Sequence, residues 1–454
     1  LKKAELVPRR IVIVGDNATG TSVASAARKK DRKAEITVID RGTHNAYSRC
    51  GLPYVLAGEI PSFDDLITFP LSFYKMMKID LRLETEVTSG NVQEKTITIE
   101  QNGQSEQIPY DSLVLATGAS NFIPPVKGHD KEGVYGLRTI EDGKKIQKAM
   151  KNAKSAVVVG AGFIGLETAH AFLEKGITTT VVEMLPYVLP AMFDKDMADF
   201  AQTKLEEHGL RVIVGKALGE IVGNGKVEGA RVADELIDAD MVIMATGVRA
   251  NLDLAKQMGL TLGVRDRTIQ VNSCMQTSAP CVYAAGDCVE SRSLITGLPT
   301  ISQLGTTAVR QAKVAGINAA GGYTLFPGVL SSAVTKMFGF EVGATGLTEF
   351  HAKRVGLQTV IGRLTSTTKP HYFPGGKEIR VKIIAEKELG RVIGGQLVGG
   401  EDVAHRVNMI SLAIQNRMTV AELAKADTCY APPVADTWEA IALAAEMAAS
   451  RLRR

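Results

Sequence analysis

The chain has 454 residues, of which 45% are hydrophobic and 22% charged, with a formal net charge of +4. That length and composition predict a globular protein of about three domains, and so small a charge gives no case for a nucleic-acid partner. Five cysteines (Cys50, Cys274, Cys281, Cys288, Cys429) show neither a disulfide framework nor metal-ligand spacing, and no stretch reaches the roughly twenty apolar residues that span a bilayer.

The first element is a β-branched strand, Ile11-Val12-Ile13-Val14, which enters the turn Gly15-Asp16-Asn17-Ala18-Thr19-Gly20 and an alanine-rich helix. A second strand, Ile36–Ile39, delivers Asp40, whose carboxylate can accept hydrogen bonds from an adenosine ribose while the helix N-terminus holds the pyrophosphate. Asn17 occupies the place of the usual second glycine, so this fingerprint is weak by itself. The helix ends in Arg28-Lys29-Lys30, extended by Arg32-Lys33, which reads as either a solvated helix end or a phosphate-binding cluster.

Cys50 follows in Tyr47-Ser48-Arg49-Cys50-Gly51-Leu52-Pro53-Tyr54, ten residues past Asp40. A helix beginning at Cys50 and the neighbouring Arg49 would both favour the thiolate, which makes Cys50 a candidate redox thiol beside a bound flavin. The segment Ser62–Ile67, with Phe69 and Phe73, offers no chemistry of its own.

Further on, Leu113–Gly118 and Val242–Gly247 are near copies, each a buried strand ending in Ala-Thr-Gly. Their small-residue turns, Thr117-Gly118 and the one at Gly247, suit a chain crossing between adjoining domains. Between them lies a complete fingerprint: the strand Ala156–Val159, the loop Gly160-Ala161-Gly162-Phe163-Ile164-Gly165, a helix, and a strand ending at Glu183. Glu183 can bind both ribose hydroxyls of NADH, and a 2′-phosphate would meet a like charge, so NADH is favoured with NADPH as the alternative. The strand Val282–Ala285 then ends in Gly286-Asp287, a carboxylate placed for a flavin ribityl hydroxyl. A helix starting near Leu304-Gly305-Thr306 could aim its N-terminal amides at the flavin pyrimidine edge. The last part alternates strands such as Ile379–Ile384 with alanine-rich helices, an α+β pattern suited to an interface.

Taken together, both fingerprints, Cys50-Gly51-Leu52-Pro53-Tyr54, Tyr110-Asp111, Ala285-Gly286-Asp287 and Tyr430-Ala431-Pro432-Pro433 make nearly the whole chain resemble the single-cysteine FAD-dependent pyridine nucleotide-disulfide oxidoreductases. That group includes coenzyme A-disulfide reductases, NADH-dependent persulfide and polysulfide reductases, and NADH oxidases and peroxidases. The resemblance implies an α/β fold of two Rossmann-like dinucleotide-binding domains plus a C-terminal α+β dimerisation domain. Its segments would be FAD-binding at 1–118, NADH-binding at 119–246, FAD-binding at 247–325 and dimerising at 326–454.

By the same resemblance, Gly15, Gly20, Asp40 and Asp287 fall on FAD positions, with Arg49, Thr117, Gly118, Gly247, Gly286 and Thr306 near the cofactors. Gly160, Gly162, Gly165 and Glu183 fall on NADH positions, and Lys29 on that of a basic coenzyme A ligand. Tyr430, with Tyr372 as a second position of the kind, would complete the active site of a partner subunit in a homodimer. No CxxC or CxxxxC pair exists, so a single thiol must suffice. The peroxidases and water-forming oxidases carry histidine where this chain has Ala18, which favours sulfur chemistry. Arg49 and Ala46 depart from the coenzyme A-disulfide reductases, which commonly have asparagine and serine there.

The expected activity is NADH-dependent reduction of coenzyme A disulfide, coenzyme A persulfide or polysulfide. A flavoprotein passing electrons to oxygen, ferredoxin or rubredoxin is the alternative, and a non-catalytic NADH-sensing flavoprotein a third reading. The start Leu1–Glu5 shows no signal-peptide core, and a soluble protein in a reducing cytoplasm is expected. No rhodanese-like domain is expected to be fused beyond Arg451-Leu452-Arg453-Arg454.

Overall fold

The computed structural model describes residues 8–452; the start Leu1–Glu5 and the terminal Arg453-Arg454 lie outside the described residues. The chain forms two compact units. The first gathers the residues up to Leu52, Pro61–Ser120 and Val248–Val329, and the second gathers Pro53–Ile60, Asn121–Gly247 and the chain from Leu330. Among the described residues no helix is long and apolar enough to cross a membrane.

In the first unit, β1 (Arg10–Val14), α1 (Ala18–Lys30), β2 (Glu35–Ile39) and β3 (Ile79–Arg82) open a five-stranded parallel sheet. Its order is Val282–Ala284, Ser112–Leu115, β1, β2, β3. Both faces are covered, which explains the unbroken β-branched run of β1. Ile11 and Ile13 pack with Val23, Ala24 and Ala27 of α1, and Val12 and Val14 pack on the opposite face with Leu113, Leu115 and Val282. The helix Gly305–Ala319 lies along α1, and Ala312 and Ala315 share the same core. Small side chains let the two helices approach closely.

The second unit holds an equivalent parallel sheet, ordered Arg211–Val214, Thr178–Glu183, Ser155–Val159, Met241–Met244, Val134–Tyr135. It also holds a five-stranded antiparallel sheet, ordered Ala333–Met337, Phe340–Gly346, Val392–Gly399, Glu378–Glu386, Thr359–Thr367. The helices Val403–Gln415 and Ala440–Leu452 pack on that sheet, and the buried alanines Ala440, Ala444, Ala445 and Ala448 explain the alanine-rich composition of the second.

One strand position departs from simple alternation. Lys382, in the strand read from Ile379–Ile384, is 0% exposed. Its ammonium lies 3.1 Å from Asp194, 2.8 Å from Asp196 and 2.5 Å from Glu349. Burial pulls its pKa down, but the hydrogen bonds it donates to Asp196 and Glu349 and the charge of Asp194 outweigh that and leave it above the ordinary lysine value. The three carboxylates therefore enclose an ammonium and form an ion-pair cluster.

Candidate active site

The two glycine loops repeat one geometry. Gly15, at the end of β1, has φ +102°, and a Cβ there would lie 2.3 Å from the Ala116 carbonyl oxygen. Gly20 sits in the first turn of α1, where a Cβ would come 1.8 Å from the Gly15 oxygen. In the second loop, Gly160 has φ +109° with its Cβ position 2.3 Å from the Ala245 oxygen, and that of Gly165 lies 1.9 Å from the Gly160 oxygen. No side chain fits at these four positions without moving backbone.

The acidic partners match as well. Asp40 accepts hydrogen bonds from the amides of Asp16 (2.8 Å) and Gly42 (2.7 Å). Glu183, 7% exposed, accepts from the amides of Ala161 (2.8 Å) and Leu185 (2.8 Å). Each carboxylate is thus fixed at the lip of its loop, where ribose hydroxyls of a dinucleotide would reach it.

The loops differ at their helix starts. Gly162 precedes the twelve-residue helix Phe163–Glu174 with no side-chain cap, and apart from its chain neighbours no atom lies within 4 Å of where its Cβ would be. That open helix N-terminus suits a pyrophosphate. In the first loop, Asn17 turns its own side chain onto the amide of Ala18 (2.9 Å), so an incoming phosphate would compete with it. Asp16, which drew no attention in the sequence, is 1% exposed in the same loop.

The other residues of the first unit gather around this loop. Gly286 has φ +86° and packs on Thr19, whose Oγ1 would be 2.3 Å from a Cβ, and its amide donates to Gln311 (2.9 Å). This places the Gly286-Asp287 turn against the start of α1. Thr306 is exposed in the first turn of the fifteen-residue helix Gly305–Ala319, whose N-terminus has no side-chain cap. Thr117 donates through Oγ1 to the carbonyl of Asn251 (2.9 Å), and Asn251 donates back to the carbonyl of Thr117 (2.8 Å). Gly118 accepts from the Asn251 amide (2.9 Å). In the second unit, the matching turn is tied to Phe122, through the Thr246 hydroxyl and the Gly247 carbonyl. Both Ala-Thr-Gly turns are therefore stitched to a neighbouring chain segment, and Asn251 was not apparent from sequence.

Cys50 is exposed and in no disulfide. The residues around it differ from the sequence expectation: Arg49–Gly51 form a 3₁₀ turn, and the α-helix begins at Leu52 rather than at Cys50. The proline at position 53 explains this, because it suits the first turn of an α-helix and has no amide to donate. The Arg49 guanidinium lies 5.9 Å from the centre of the Tyr47 ring. Residues 46–48 are held on one side by the segment 66–68, through Ser48 N to Leu66 O (2.8 Å) and Thr68 N to Ala46 O (2.9 Å).

The basic run at the end of α1 divides in two. Arg28 is a structural clamp, its guanidinium donating to the carbonyls of Met77 (2.7 Å), Lys78 (2.7 Å), Arg32 (3.0 Å) and Ala34 (2.7 Å). Lys29, Lys30, Arg32 and Lys33 are exposed.

In the second unit, the structure brings Tyr372 and Tyr430 together with 2.5 Å between hydroxyls, both side chains exposed. That bond raises the Tyr372 pKa. Cys429 is exposed beside them. Cys288 is fully buried, with its thiol 3.3 Å from the Ala285 oxygen, and burial pushes its pKa up, as a packed core thiol requires.

Residues 9–316 match the pyridine nucleotide-disulphide oxidoreductase family, and residues 332–442 match the dimerisation domain of that family. An NADH oxidase of Methanocaldococcus jannaschii is 47% identical over 447 residues, covering 98% of this chain and 99% of that protein. An NAD(P)H sulfur oxidoreductase (CoA-dependent) of Pyrococcus furiosus is 35% identical over 442 residues, covering 97% and 99%. Among solved structures, an NAD-dependent persulfide reductase from A. fulgidus superposes with a TM-score of 0.95 at 38% identity, covering 97% of this chain and 83% of that one. The chain belongs to the pyridine nucleotide-disulphide oxidoreductase family and is an FAD-dependent NAD(P)H oxidoreductase with a C-terminal dimerisation domain.

Proposed function

We propose that the protein uses NADH to reduce the sulfur–sulfur bond of a coenzyme A disulfide, coenzyme A persulfide or polysulfide, with Cys50 as the redox thiol. The observation that carries this reading is Cys50 itself: an exposed thiol in no disulfide, on a 3₁₀ turn tied to the first glycine loop's unit. The names of the P. furiosus relative and of the A. fulgidus structure agree with sulfur chemistry. In this reading the four segments given by sequence serve as FAD, NADH, FAD and dimerisation parts, with the glycines, Asp40, Glu183 and Asp287 in the roles assigned above.

FAD, which Gly15, Gly20, Asp40 and Asp287 would hold, would supply two-electron redox chemistry between nicotinamide and thiol. The residues of this chain supply the sulfur chemistry. The Cys50 thiolate attacks one sulfur of the substrate, a new S–S bond forms, and the other sulfur leaves as a thiolate or hydrosulfide. Two electrons, supplied by NADH, then cleave the mixed disulfide or persulfide on Cys50, restoring its thiolate and releasing the second sulfur as a thiol or hydrosulfide. Tyr430, backed by Tyr372, donates the proton to the leaving sulfur from the C-terminal domain of a second copy. Lys29 holds a phosphate of coenzyme A.

Anaerobic NADH oxidation with coenzyme A persulfide and coenzyme A disulfide, in wild type and Cys50→Ser, tests this reading. It predicts turnover that disappears in the variant. The identity of 47% to a protein named NADH oxidase favours a second reading, in which oxygen accepts the electrons. Oxygen consumption that survives Cys50→Ser, with no sulfur-acceptor turnover in wild type, would select it.

A further inference from the structure

We propose that Asp16 is a positioning residue whose carboxylate ties the first glycine loop to the segment carrying Cys50. The loop places a carboxylate one residue after Gly15, where the equivalent position of the second loop is Ala161. Its side chain is buried behind the loop and meets three donors from three parts of the chain. The amide of Ala46 donates to Oδ2 at 2.8 Å. The hydroxyl of Thr21, on α1, donates to Oδ1 at 2.7 Å. The hydroxyl of Tyr74, on the helix Leu71–Met76, lies 2.9 Å from Oδ1 and 2.8 Å from Oδ2.

Of these, only the Ala46 contact reaches toward Cys50, four residues further on. With residues 46–48 hydrogen-bonded to residues 66–68 on one edge, Asp16 fixes the other and so sets where the 3₁₀ turn begins. An ionised carboxylate makes this a charge-assisted bond, about twice as strong as a neutral one. Protonation leaves the Ala46 amide facing a neutral carboxyl, since an amide can only donate while the two hydroxyls can turn to accept. The titratable groups facing Asp16 are Asp40 at the end of β2 and Tyr74; α1 presents the Thr21 hydroxyl and the Cys50 segment a backbone amide. Burial, with Asp40 adding to it, pushes the Asp16 pKa up to about 6, while the Thr21 and Tyr74 hydrogen bonds pull it back. The tether therefore weakens as pH falls through that value.

Its effect on turnover rests on the reading of Cys50 as the redox thiol; the placement of the Cys50 turn does not. The test is the rate of iodoacetamide alkylation of Cys50 in the reduced, FAD-loaded enzyme between pH 5 and 9, followed by mass spectrometry of the Cys50 peptide so that Cys429 does not contribute. Wild type should show an inflection near pH 6 in addition to the titration of the thiol itself. Asp16→Asn should lose that inflection. Tyr74→Phe, which removes one hydrogen bond to the carboxylate and leaves the Ala46 contact, should shift it to higher pH. A single thiol titration in wild type, an inflection retained in Asp16→Asn, or one unmoved in Tyr74→Phe would each overturn the proposal. Sulfur-acceptor turnover surviving in Cys50→Ser would overturn the functional reading instead and leave the alkylation result standing.

Discussion

The hydroxyls of Tyr372 and Tyr430, 58 residues apart in the chain, lie 2.5 Å from one another on the C-terminal part of the protein. Either can donate to the other; when Tyr372 donates and Tyr430 accepts, the Tyr430 proton is left to face a reacting sulfur in the proposed mechanism. Tyr430→Phe removes the donor and should lower kcat/KM for a sulfur acceptor by about 100-fold, the lower range for a positioned general acid. Tyr372→Phe should cost less, because Tyr430 keeps its own proton. Steady-state assays with coenzyme A persulfide check both.

If the tyrosines serve the thiol of a second copy, mixing subunits should restore activity. A heterodimer of Cys50→Ser and Tyr430→Phe chains contains one site with both native residues when the site is built across subunits, and none when it is built within one. Coexpression with two tags and tandem purification should therefore give roughly half the wild-type rate per dimer, assuming independent sites.

In the proposed reading nucleotide choice depends on Glu183, whose carboxylate is held by the amides of Ala161 and Leu185. Glu183→Ser leaves no negative charge against a 2′-phosphate. The NADPH/NADH ratio of kcat/KM should rise by about 10- to 100-fold, the effect of removing one close like-charge repulsion of roughly 1.4 to 2.8 kcal/mol. Initial rates with the two nucleotides measure it.

Lys382→Met should destabilise the fold by about 3 to 5 kcal/mol, because Asp194, Asp196 and Glu349 would be left around a buried apolar group. Since the lysine pKa is raised in the folded state, the cluster's contribution is full below the ordinary lysine value and is lost as pH rises beyond it. Urea unfolding of variant and wild type checks the first statement, and alkaline melting the second.

Glu167, on the helix after the second glycine loop, accepts a hydrogen bond from the Thr335 hydroxyl, and burial pushes its pKa up from 4.5 to about 7. A carboxyl raised in this way holds a proton in the folded state that the unfolded chain has already lost. Its contribution to stability therefore falls as pH rises from 4.5 to 7. Glu167→Gln should flatten the melting temperature across that window, as measured by differential scanning fluorimetry.

What was legible in the sequence is what short-range geometry enforces. Gly15, Gly20, Gly160 and Gly165 are dictated by carbonyl oxygens that a side chain would strike, and Asp40 and Glu183 by the strand that follows, so spacing alone reveals them. Burial of both sheet faces explains why β1 reads as a continuous apolar run. Lys382 was hidden because its burial depends on carboxylates distant in the chain, Asp196 being 186 residues away, which no local pattern encodes. Asp16 passed unnoticed in its glycine loop because Tyr74, the partner that marks it, lies 58 residues on. Arg28 read as part of a basic cluster because the carbonyls it clamps, at Met77 and Lys78, appear only after the helix and β3 are folded together.

On the proposed mechanism Cys50 forms and then loses a covalent bond to the substrate sulfur. The most direct test is the mass of the Cys50 peptide after the enzyme meets coenzyme A disulfide without oxygen or NADH, and again after NADH is added. The account predicts a coenzyme A adduct on Cys50 that NADH removes, releasing one equivalent of coenzyme A. An unmodified Cys50, or an adduct that NADH leaves in place while turnover continues, would contradict it.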